Sequence, residues 1–223
     1  MRIVVLDGFT LNPGDLSWEA VERLGQVEVY DRTRPEEVME RLAGAEIALT
    51  NKVVLDATLL ENLSPILRYV GVLATGYNVV DVAAAKKRSI PVCNVPDYGT
   101  AAVAQFTFAL LLELCHQVGH HGQAVRDGKW SSCPDFCFWD TPQMELAGKT
   151  LGIIGFGRIG RAVGKIAKAF GMNVIAYNRS QCEEGLAIGR YVSLEELLAN
   201  SDVISLHCPL TAENTGLISK SAI

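Results

Sequence analysis

Three glycines in one short segment are spaced in a way that leaves the main chain bare for a phosphate group. The segment Leu151–Gly160 joins an apolar strand pattern to the motif G-x-G-x-x-G. Gly155 permits a tight turn, Gly157 lets the main chain approach a diphosphate, and Gly160 lets the following helix pack closely on the strand. The helix N-terminus adds unpaired N–H groups and about half a positive charge. A glycine-rich turn without a ligand is the weaker alternative, because an apolar strand precedes the motif and an amphipathic helix follows it.

The end of the next predicted strand indicates which dinucleotide fits. An acidic residue about 20 positions after the glycines bonds the ribose 2′-hydroxyl and is typical of NAD sites. Asn178, Arg179 and Ser180 stand there instead. Asparagine does not repel a phosphate, and the arginine fork suits a 2′-phosphate. These residues favour NADP(H), while NAD(H) and an ordinary exposed turn stay open.

The elements before this motif repeat one theme. Short apolar runs alternate with segments of helical spacing, which indicates a parallel sheet covered on both faces. The predicted strands are Arg2–Leu6, Val27–Tyr30, Ile47–Thr50, Leu67–Leu73 and Pro91–Cys93, and the predicted helices are Trp18–Leu24, Pro35–Leu42, Asp56–Asn62 and Asp81–Arg88. We therefore expect a first α/β domain over residues 1–98.

A different element follows this domain. From Thr100, the predicted N-cap, to about Gln123 the pattern predicts an almost unbroken helix. It is apolar nearly all round up to His116, so we expect it to be buried. The irregular, aromatic-rich stretch Gly128–Thr141 is expected to pack against a partner or to cover a site.

The strand and helix alternation restarts at Lys149 and predicts a dinucleotide-binding unit over residues 99–223. Its predicted strands are Thr150–Ile154, Asn173–Tyr177, a weaker Arg190–Val192 and Val203–His207, its helices are Ile159–Phe170 and Ser193–Asn200, and a further helix begins at Ser219–Ile223. A full sheet of this kind needs about six strands. We therefore expect the unit to be incomplete at its C-terminal end, and the chain to be a fragment or a truncated reading frame.

Four strings in order resemble the D-isomer-specific 2-hydroxyacid dehydrogenase family, in its glycerate dehydrogenase/hydroxypyruvate reductase branch. They are Ala74–Asp81 (Ala-Thr-Gly-Tyr-Asn-Val-Val-Asp), Glu145–Gly152, the glycine motif and His207–Thr211 (His-Cys-Pro-Leu-Thr). The resemblance implies an α/β protein with a flavodoxin-like, parallel-sheet substrate lobe and a Rossmann lobe. It also implies NAD(P)-dependent chemistry at the CH–OH group of small D-2-hydroxy acids, including reduction of 2-keto acids such as hydroxypyruvate or glyoxylate.

The resemblance also implies a set of binding residues. Main-chain N–H groups of Ala74, Thr75 and Gly76 would hold the substrate carboxylate, with the positive charge of Lys52 nearby. The nicotinamide half of the cofactor would lie near Thr107, Cys208, Pro209 and Thr215. The diphosphate would lie against Arg158 and Ile159. His207 would belong to the cofactor-side motif and would not be the proton donor. With Gly155, Gly157, Gly160, Asn178, Arg179 and Ser180 they complete the expected cofactor site.

The family's catalytic arginine, acidic residue and histidine lie beyond the third strand of the cofactor lobe, and no matching string occurs in these 223 residues. We therefore expect no catalytic residue in this chain, and cofactor binding with very little hydride transfer from it. A non-catalytic dinucleotide sensor or corepressor-like protein is the alternative. A relative of homocysteine hydrolase is a third hypothesis, which the Ala74–Asp81 string disfavours.

Composition excludes other classes of protein. The 223 residues are 49% apolar and 20% charged with a net charge of −5, which excludes an intrinsically disordered protein. The sequence has no basic stripe of the kind that nucleic-acid-binding proteins carry. The start, Met1–Asp7, lacks the apolar run of a signal peptide or a membrane span. Six cysteines without an export signal indicate free thiols in the cytoplasm.

Two other features carry weaker hypotheses. His116 and His120 have metal-ligand spacing and Cys133 and Cys137 form a C-x₃-C, but no third ligand is evident, so we expect no metal. The aromatic stretch around Trp139, with the long helix, resembles the part that packs across the family's homodimer. We therefore expect a homodimer.

Overall fold

The computed structural model describes residues 1–211, 213–220 and 222. Contacts within the chain divide it into two compact units, Met1–Tyr98 and Gly99–Ile223. Each unit has its own parallel sheet and its own hydrophobic core.

The first unit is built on a five-stranded parallel sheet. Its strands are β1 (Arg2–Val5), β2 (Gln26–Val29), β3 (Ile47–Thr50), β4 (Tyr69–Val72) and β5 (Val92–Asn94). The strand order is β2-β1-β3-β4-β5, which is the flavodoxin-like order that the resemblance implies. Because the chain reverses its winding direction between β1 and β3, the loops at their carboxyl ends diverge and leave a crevice between them.

Short helices cover this sheet close to their predicted positions. They are α1 (Glu19–Glu22), α2 (Val38–Arg41), α3 (Ala57–Asn62) and α4 (Val82–Lys87). Asp56 and Asp81 cap α3 and α4, each accepting a main-chain N–H at 2.8 Å. The predicted helix from Pro35 begins as a 3₁₀ turn, Pro35–Glu37, and a second 3₁₀ turn, Gly8–Thr10, follows β1.

The second unit contains a four-stranded parallel sheet among its described residues. Its strands are β6 (Thr150–Ile154), β7 (Asn173–Tyr177), β8 (Arg190–Tyr191) and β9 (Val203–Leu206), in the order β8-β7-β6-β9. This is the 3-2-1-4 part of the Rossmann order, so the weak strand prediction near residue 190 is confirmed. Ser221 and Ile223, which belong to the predicted final helix, lie outside the described residues.

Helices α8 (Arg158–Ala169), α9 (Glu183–Leu186) and α10 (Leu194–Asn200) accompany this sheet. The short α9 was not predicted. Since it has only one turn and no side-chain cap, neither periodicity nor a capping residue reveals it in the sequence.

The prediction of one long helix is wrong. The chain forms α5 (Thr100–His116), α6 (Val118–Arg126) and α7 (Lys129–Ser132), and α5 and α6 are bent by 58°. Gln117 adopts a left-handed conformation with φ of 46°, and its N–H bonds to the carbonyl of Glu113. Such a conformation is rare outside glycine, so the residue type does not signal the break. The N-cap of α5 is Gly99, not Thr100.

The expectation that α5 is buried all round is also wrong. One stripe packs in the core of the second unit, where Phe108 stacks on Phe170 with ring centres 5.2 Å apart. On the opposite side Phe106, Leu110 and Leu114 are 63%, 54% and 79% exposed. Among the described residues, no single helix is long and apolar enough to cross a bilayer, although the bent pair of α5 and α6 passes by length and composition.

Candidate functional site

The turn between β6 and α8 needs a glycine at its first position for reasons internal to the chain. Gly155 has φ of +94°, a conformation that side chains rarely adopt. A Cβ atom there would lie 2.5 Å from the main-chain nitrogen of Cys208 and 2.6 Å from the carbonyl carbon of His207. The glycine turn therefore packs directly on the chain that leaves β9.

Gly160 is required by packing of the same kind. A Cβ atom on it would lie 2.2 Å from the carbonyl oxygen of Gly155 and 3.1 Å from Cγ2 of Ile153. The first turn of α8 thus rests against the main chain of the preceding loop, as the glycine spacing predicts.

Gly157 differs from both of these glycines. It is the exposed N-cap of α8 with φ of −77°, which other residues adopt freely, and no described atom lies within 4 Å of an added Cβ. The fold itself therefore does not require glycine at this position. Open space beside bare main chain, at the N-terminus of a 12-residue helix, fits the approach of a diphosphate.

Asn178 connects the end of β7 to this glycine turn. Its Oδ1 accepts the N–H of Phe156 at 3.1 Å, and its Nδ2 donates to the carbonyl of Ser180 at 2.7 Å. Both ends of the carboxamide are therefore used within the chain, so the structure gives Asn178 a loop-positioning role beside the expected contact with a ribose hydroxyl. The exposed guanidinium of Arg179 has no partner among the described residues.

A cleft of about 170 Å³ lies at the carboxyl ends of β6, β7 and β9. It brings together five of the residues expected at the cofactor: Gly155, Asn178, Arg179, Cys208 and Pro209. The winding of the sheet reverses between β6 and β9, which is where open parallel α/β sheets bind ligands. The cleft therefore has the place in the fold that a dinucleotide requires.

The loop after β9 is held in shape by a residue that sequence analysis missed. Oδ1 of Asn214 accepts the N–H of Thr211 at 2.7 Å, and its Nδ2 donates to the carbonyl of Pro209 at 2.7 Å. Thr215 uses its hydroxyl within the same loop, donating to the carbonyl of Thr211 at 2.8 Å. An asparagine three residues after a threonine in a turn is a local signal for such side-chain bonding.

Several expected cofactor residues do not line this cleft. Thr107 and His207 line a separate apolar groove beside α5 and β9. Nε2 of His207 lies 2.8 Å from Oγ of Ser205, and burial lowers the pKa of His207, which favours its neutral form. Of the others, Ile159 packs its side chain on the core of the second unit, and Arg158 and Ser180 are exposed.

Arg161 is a further residue that the motif alone does not reveal. Its guanidinium donates to the carbonyl of Phe156 at 3.4 Å and pairs with Glu184 at 3.2 Å. It thereby links the glycine turn to α9. Nothing in the local spacing signals this, because the partner carboxylate lies on a helix that the sequence did not predict.

The expected substrate loop lies at the carboxyl end of β4 in the first unit. Nδ2 of Asn94 donates to the carbonyl of Thr75 at 2.8 Å, and the N–H of Val95 donates to the carbonyl of the buried Ala74 at 3.1 Å. Among the described residues no acceptor takes the N–H of Thr75 or Gly76, and both residues are exposed. A Cβ on Gly76 would meet only a side-chain oxygen at 3.5 Å, so the fold does not require this glycine either.

Lys52 lies on the neighbouring loop, at the carboxyl end of β3. Its side chain is exposed, and its ammonium group has no partner within the part of the chain that the structure describes. Its main-chain N–H donates to the buried carboxylate of Asp7, as does that of Asn51. Because β3 and β4 are adjacent and parallel, the cation and the unpaired N–H groups belong to one edge of one sheet.

The histidines considered as metal ligands bond to protein groups. Nδ1 of His116 lies 3.2 Å from Oε1 of Gln143, and Nε2 of His120 lies 2.6 Å from Oδ2 of Asp140. The break at Gln117 puts these two histidines on different helices. Within residues 1–211, 213–220 and 222, no three His, Cys, Asp or Glu side chains form a group suited to a metal ion.

Comparison with known proteins identifies the family. Residues 108–223 match the NAD binding domain of the D-isomer specific 2-hydroxyacid dehydrogenases. The chain belongs to this family. The whole chain is 57% identical over 228 residues to the hydroxypyruvate reductase of Blautia hydrogenotrophica, of which it spans 70%. Over 190 residues, 85% of the chain, it is 42% identical to the glycerate dehydrogenase of Methylorubrum extorquens and covers 58% of it.

Solved structures of other enzymes share the fold. The D-lactate dehydrogenase of Aquifex aeolicus, complexed with NAD and lactic acid, superposes on the whole chain with a TM-score of 0.84 at 28% identity, and 65% of it is covered. The acyclic imino acid reductase Bsp5, in complex with NADPH and D-Arg, gives a TM-score of 0.84 at 30% identity over the whole chain and 70% of the reductase. Both nicotinamide dinucleotides therefore occur among the structural neighbours.

Proposed function

We propose that the protein is an NAD(P)-dependent oxidoreductase that acts on the CH–OH group of small D-2-hydroxy acids and reduces 2-keto acids such as hydroxypyruvate and glyoxylate. The observation that carries this proposal is the open main chain at Gly157, a glycine that the fold does not require, beside a cleft at the reversal point of a Rossmann sheet. When bound, the reduced dinucleotide supplies the hydride. The relatives named above are enzymes, which favours this function over a non-catalytic sensor.

The two units divide the binding work. In the second unit, Gly157 and the first turn of α8 would hold the diphosphate, and the cleft residues Asn178, Arg179, Cys208 and Pro209 would enclose the adjoining parts of the dinucleotide. In the first unit, the main-chain N–H groups of Thr75 and Gly76, which have no acceptor among the described residues, would hold a carboxylate. Lys52 would add the positive charge.

We assign binding rather than proton transfer to the residues of this chain. His207 is the histidine nearest the glycine turn, but burial lowers its pKa and a hydroxyl group of Ser205 faces its Nε2. Burial therefore favours the neutral form of this imidazole, and its hydrogen-bond partner lies within the second unit. This agrees with the family resemblance, in which the histidine of this motif is not the proton donor.

A titration with dinucleotide and then with hydroxypyruvate tests the function. We expect nicotinamide fluorescence to change saturably with NADPH, and amide NMR signals of Thr75 and Gly76 to shift with hydroxypyruvate. A protein that bound the dinucleotide but no 2-keto acid would support the sensor hypothesis. Failure to bind either reduced dinucleotide would overturn the proposal.

The proposal includes a preference for NADP(H). Arg179, which has no partner among the described residues, lines the cleft, and the neutral Asn178 replaces the acidic residue that would repel a 2′-phosphate. Since hydrogen bonds to charged groups contribute about 1.5–3 kcal/mol, Arg179→Ala should weaken NADPH binding roughly 10- to 150-fold and leave NADH within about twofold. Arg190→Ala, which removes an exposed arginine paired with Glu196, is the matched control. Equal losses for both dinucleotides would refute the preference.

We also propose that the protein is a cytoplasmic homodimer. Several large apolar side chains are exposed along one side of α5, and Trp130, Phe136 and Trp139 are exposed as well. Exposed apolar side chains in this number are typical of an interface between proteins. The six free cysteines suit a reducing compartment. Sedimentation of the wild type and of Leu110→Glu tests the dimer. A wild-type monomer at micromolar concentration, or a variant that sediments like the wild type, would contradict it.

A further inference from the structure

A buried carboxylate spans the crevice of the first sheet. Asp7, two residues beyond β1, is 5% exposed. Its Oδ1 accepts the N–H of Asn51 at 2.8 Å and its Oδ2 accepts the N–H of Lys52 at 2.5 Å. These donors are 44 and 45 residues away along the chain, in the loop that follows β3. One side chain therefore fixes two consecutive peptide groups across the reversal point between β1 and β3.

The same loop is held from two further directions. Nδ2 of Asn51 donates to Oγ1 of Thr10 at 3.0 Å, and that hydroxyl donates to the carbonyl of Asp7 at 3.1 Å. The buried Thr50 donates its hydroxyl to the carbonyl of Val53 at 2.9 Å. The main chain around Lys52 is thus constrained on both sides, whereas its ammonium group is left without a partner among the described residues.

Burying a carboxylate is costly unless each of its oxygens is hydrogen-bonded. An apolar side chain at this position would leave the N–H groups of Asn51 and Lys52 without this acceptor, so the carboxylate holds a particular main-chain conformation and does not only fill space. A carboxylate offers a separate oxygen to each of the two neighbouring N–H groups, whereas an asparagine has only one acceptor oxygen. An asparagine would turn an NH₂ group toward one of these donors.

We propose that Asp7 is a positioning residue for the substrate site, which acts by holding the Asn51–Lys52 main chain so that the Lys52 ammonium is presented to a 2-keto acid carboxylate. This rests on the proposed function, in which Lys52 and the N–H groups of Thr75 and Gly76 bind that carboxylate. The affinity for the 2-keto acid then depends on the carboxylate of Asp7, although Asp7 itself does not touch the substrate.

The sign of the effect separates positioning from simple electrostatics. Asp7→Asn removes a negative charge close to a site for an anion, and Coulomb's law alone would make the anion bind more tightly. Positioning makes the opposite prediction. We expect the affinity for glyoxylate or hydroxypyruvate, measured by NMR titration of the full chain, to fall about tenfold, with NADPH affinity within about twofold of the wild type.

A double-mutant cycle with Lys52→Met tests whether Asp7 acts through the lysine. If it does, the double variant should bind glyoxylate no more weakly than Lys52→Met alone, whereas general loosening of the fold would give additive losses. Glu46→Gln is the matched control, because Glu46 accepts the N–H of Arg2 at the opposite edge of the same sheet. This variant should leave glyoxylate affinity unchanged.

A second variant covers the case in which Asp7→Asn does not fold. Thr10→Val removes the exposed hydroxyl that accepts the Asn51 amide, and it should weaken glyoxylate binding in the same direction by a smaller factor. Unchanged or tighter binding in both variants, with Lys52→Met still weakening it, would overturn the inference and leave the proposed function intact. If Lys52→Met had no effect, the proposed substrate site itself would fail.

Discussion

Replacing Gly157 with alanine tests the main-chain contact that we propose for the diphosphate of the cofactor. The added methyl group meets no described atom within 4 Å and the backbone φ of −77° suits alanine, so the native chain has no reason to rearrange. We expect the variant to fold normally and to bind both NADPH and NADH weakly. The methyl group would occupy the space that a diphosphate needs to reach the main-chain N–H groups of α8.

The expected magnitudes follow from the local structure. Alanine is a poorer N-cap than glycine, which lowers stability by up to about 1 kcal/mol. It also lowers the conformational entropy of the unfolded chain, which raises stability by about 0.4–1 kcal/mol. The net change in the free energy of unfolding should lie within about 1 kcal/mol of zero. Loss of one charge-assisted hydrogen bond to phosphate costs about 1.5–3 kcal/mol, or roughly a 10- to 150-fold weaker dinucleotide affinity.

The neighbouring glycines provide contrasting controls for this variant. Gly155→Ala places Cβ 2.5 Å from a main-chain nitrogen at positive φ, and Gly160→Ala places it 2.2 Å from a carbonyl oxygen. Both should destabilise the fold by about 2–4 kcal/mol. Gly122→Ala is the matched control, because its Cβ also meets no described atom within 4 Å. Alanine within α6 should stabilise the fold slightly without altering affinity.

Fluorescence titration with each reduced dinucleotide at fixed salt, together with thermal unfolding, measures both quantities. If Gly157→Ala folds normally and binds NADPH within about twofold of the wild type, the proposed diphosphate contact is refuted. A large loss of stability in this variant would equally contradict the structure, because it would mean that the chain itself occupies the open space.

Three further outcomes are expected. Asn214→Ala removes the side-chain hydrogen bonds that hold the exposed loop around Pro209. It should weaken dinucleotide binding about 3- to 10-fold with little change in melting temperature. The control Asn200→Ala removes a side-chain hydrogen bond at the end of α10 and should leave the affinity unchanged. Burial lowers the pKa of His207 in the folded state below its ordinary value of 6.5, so the unfolded chain binds this proton more readily. The free energy of unfolding should therefore fall as the pH drops below 6.5. In urea titrations His207→Gln should reduce this dependence of stability on pH, and an unchanged dependence would contradict the prediction. Gly164→Ala should lower the melting temperature, because its Cβ would lie 2.8 Å from Cγ2 of Ile188, while a variant that melts like the wild type would show that α8 packs less closely than the structure indicates.

Local patterns were sufficient for most of the fold. The bounds of β3, β6 and β7 agree with prediction, because strands buried on both faces appear as continuous apolar runs between turn residues. The helix break at Gln117 was missed, since a left-handed residue other than glycine leaves no trace in composition. The apolar pattern of α5 predicted burial on every side, but the described residues pack against only one stripe of this helix.

The candidate sites show the same division. The glycine spacing, the Asn-Arg pair after β7 and the Ala-Thr-Gly loop were all visible in the sequence because each is a local arrangement of backbone-permissive or charged residues. Asp7 was not visible as a functional residue, since its meaning lies in two donors more than 40 residues away. Asn178 was visible, but not the main-chain N–H of Phe156 that its side chain accepts.

The amino-acid sequence by itself determined the family, the two parallel-sheet units and the presence of a glycine turn between β6 and α8. Only the tertiary structure showed that distant segments fill the space beside Gly155 and Gly160, whereas no described atom fills it beside Gly157. The physical reason is that backbone preference and hydrophobic period are encoded over a few neighbouring residues, whereas free space around an atom depends on what distant segments occupy. The loop after β9 excludes a side chain at Gly155, and no described segment does so at Gly157.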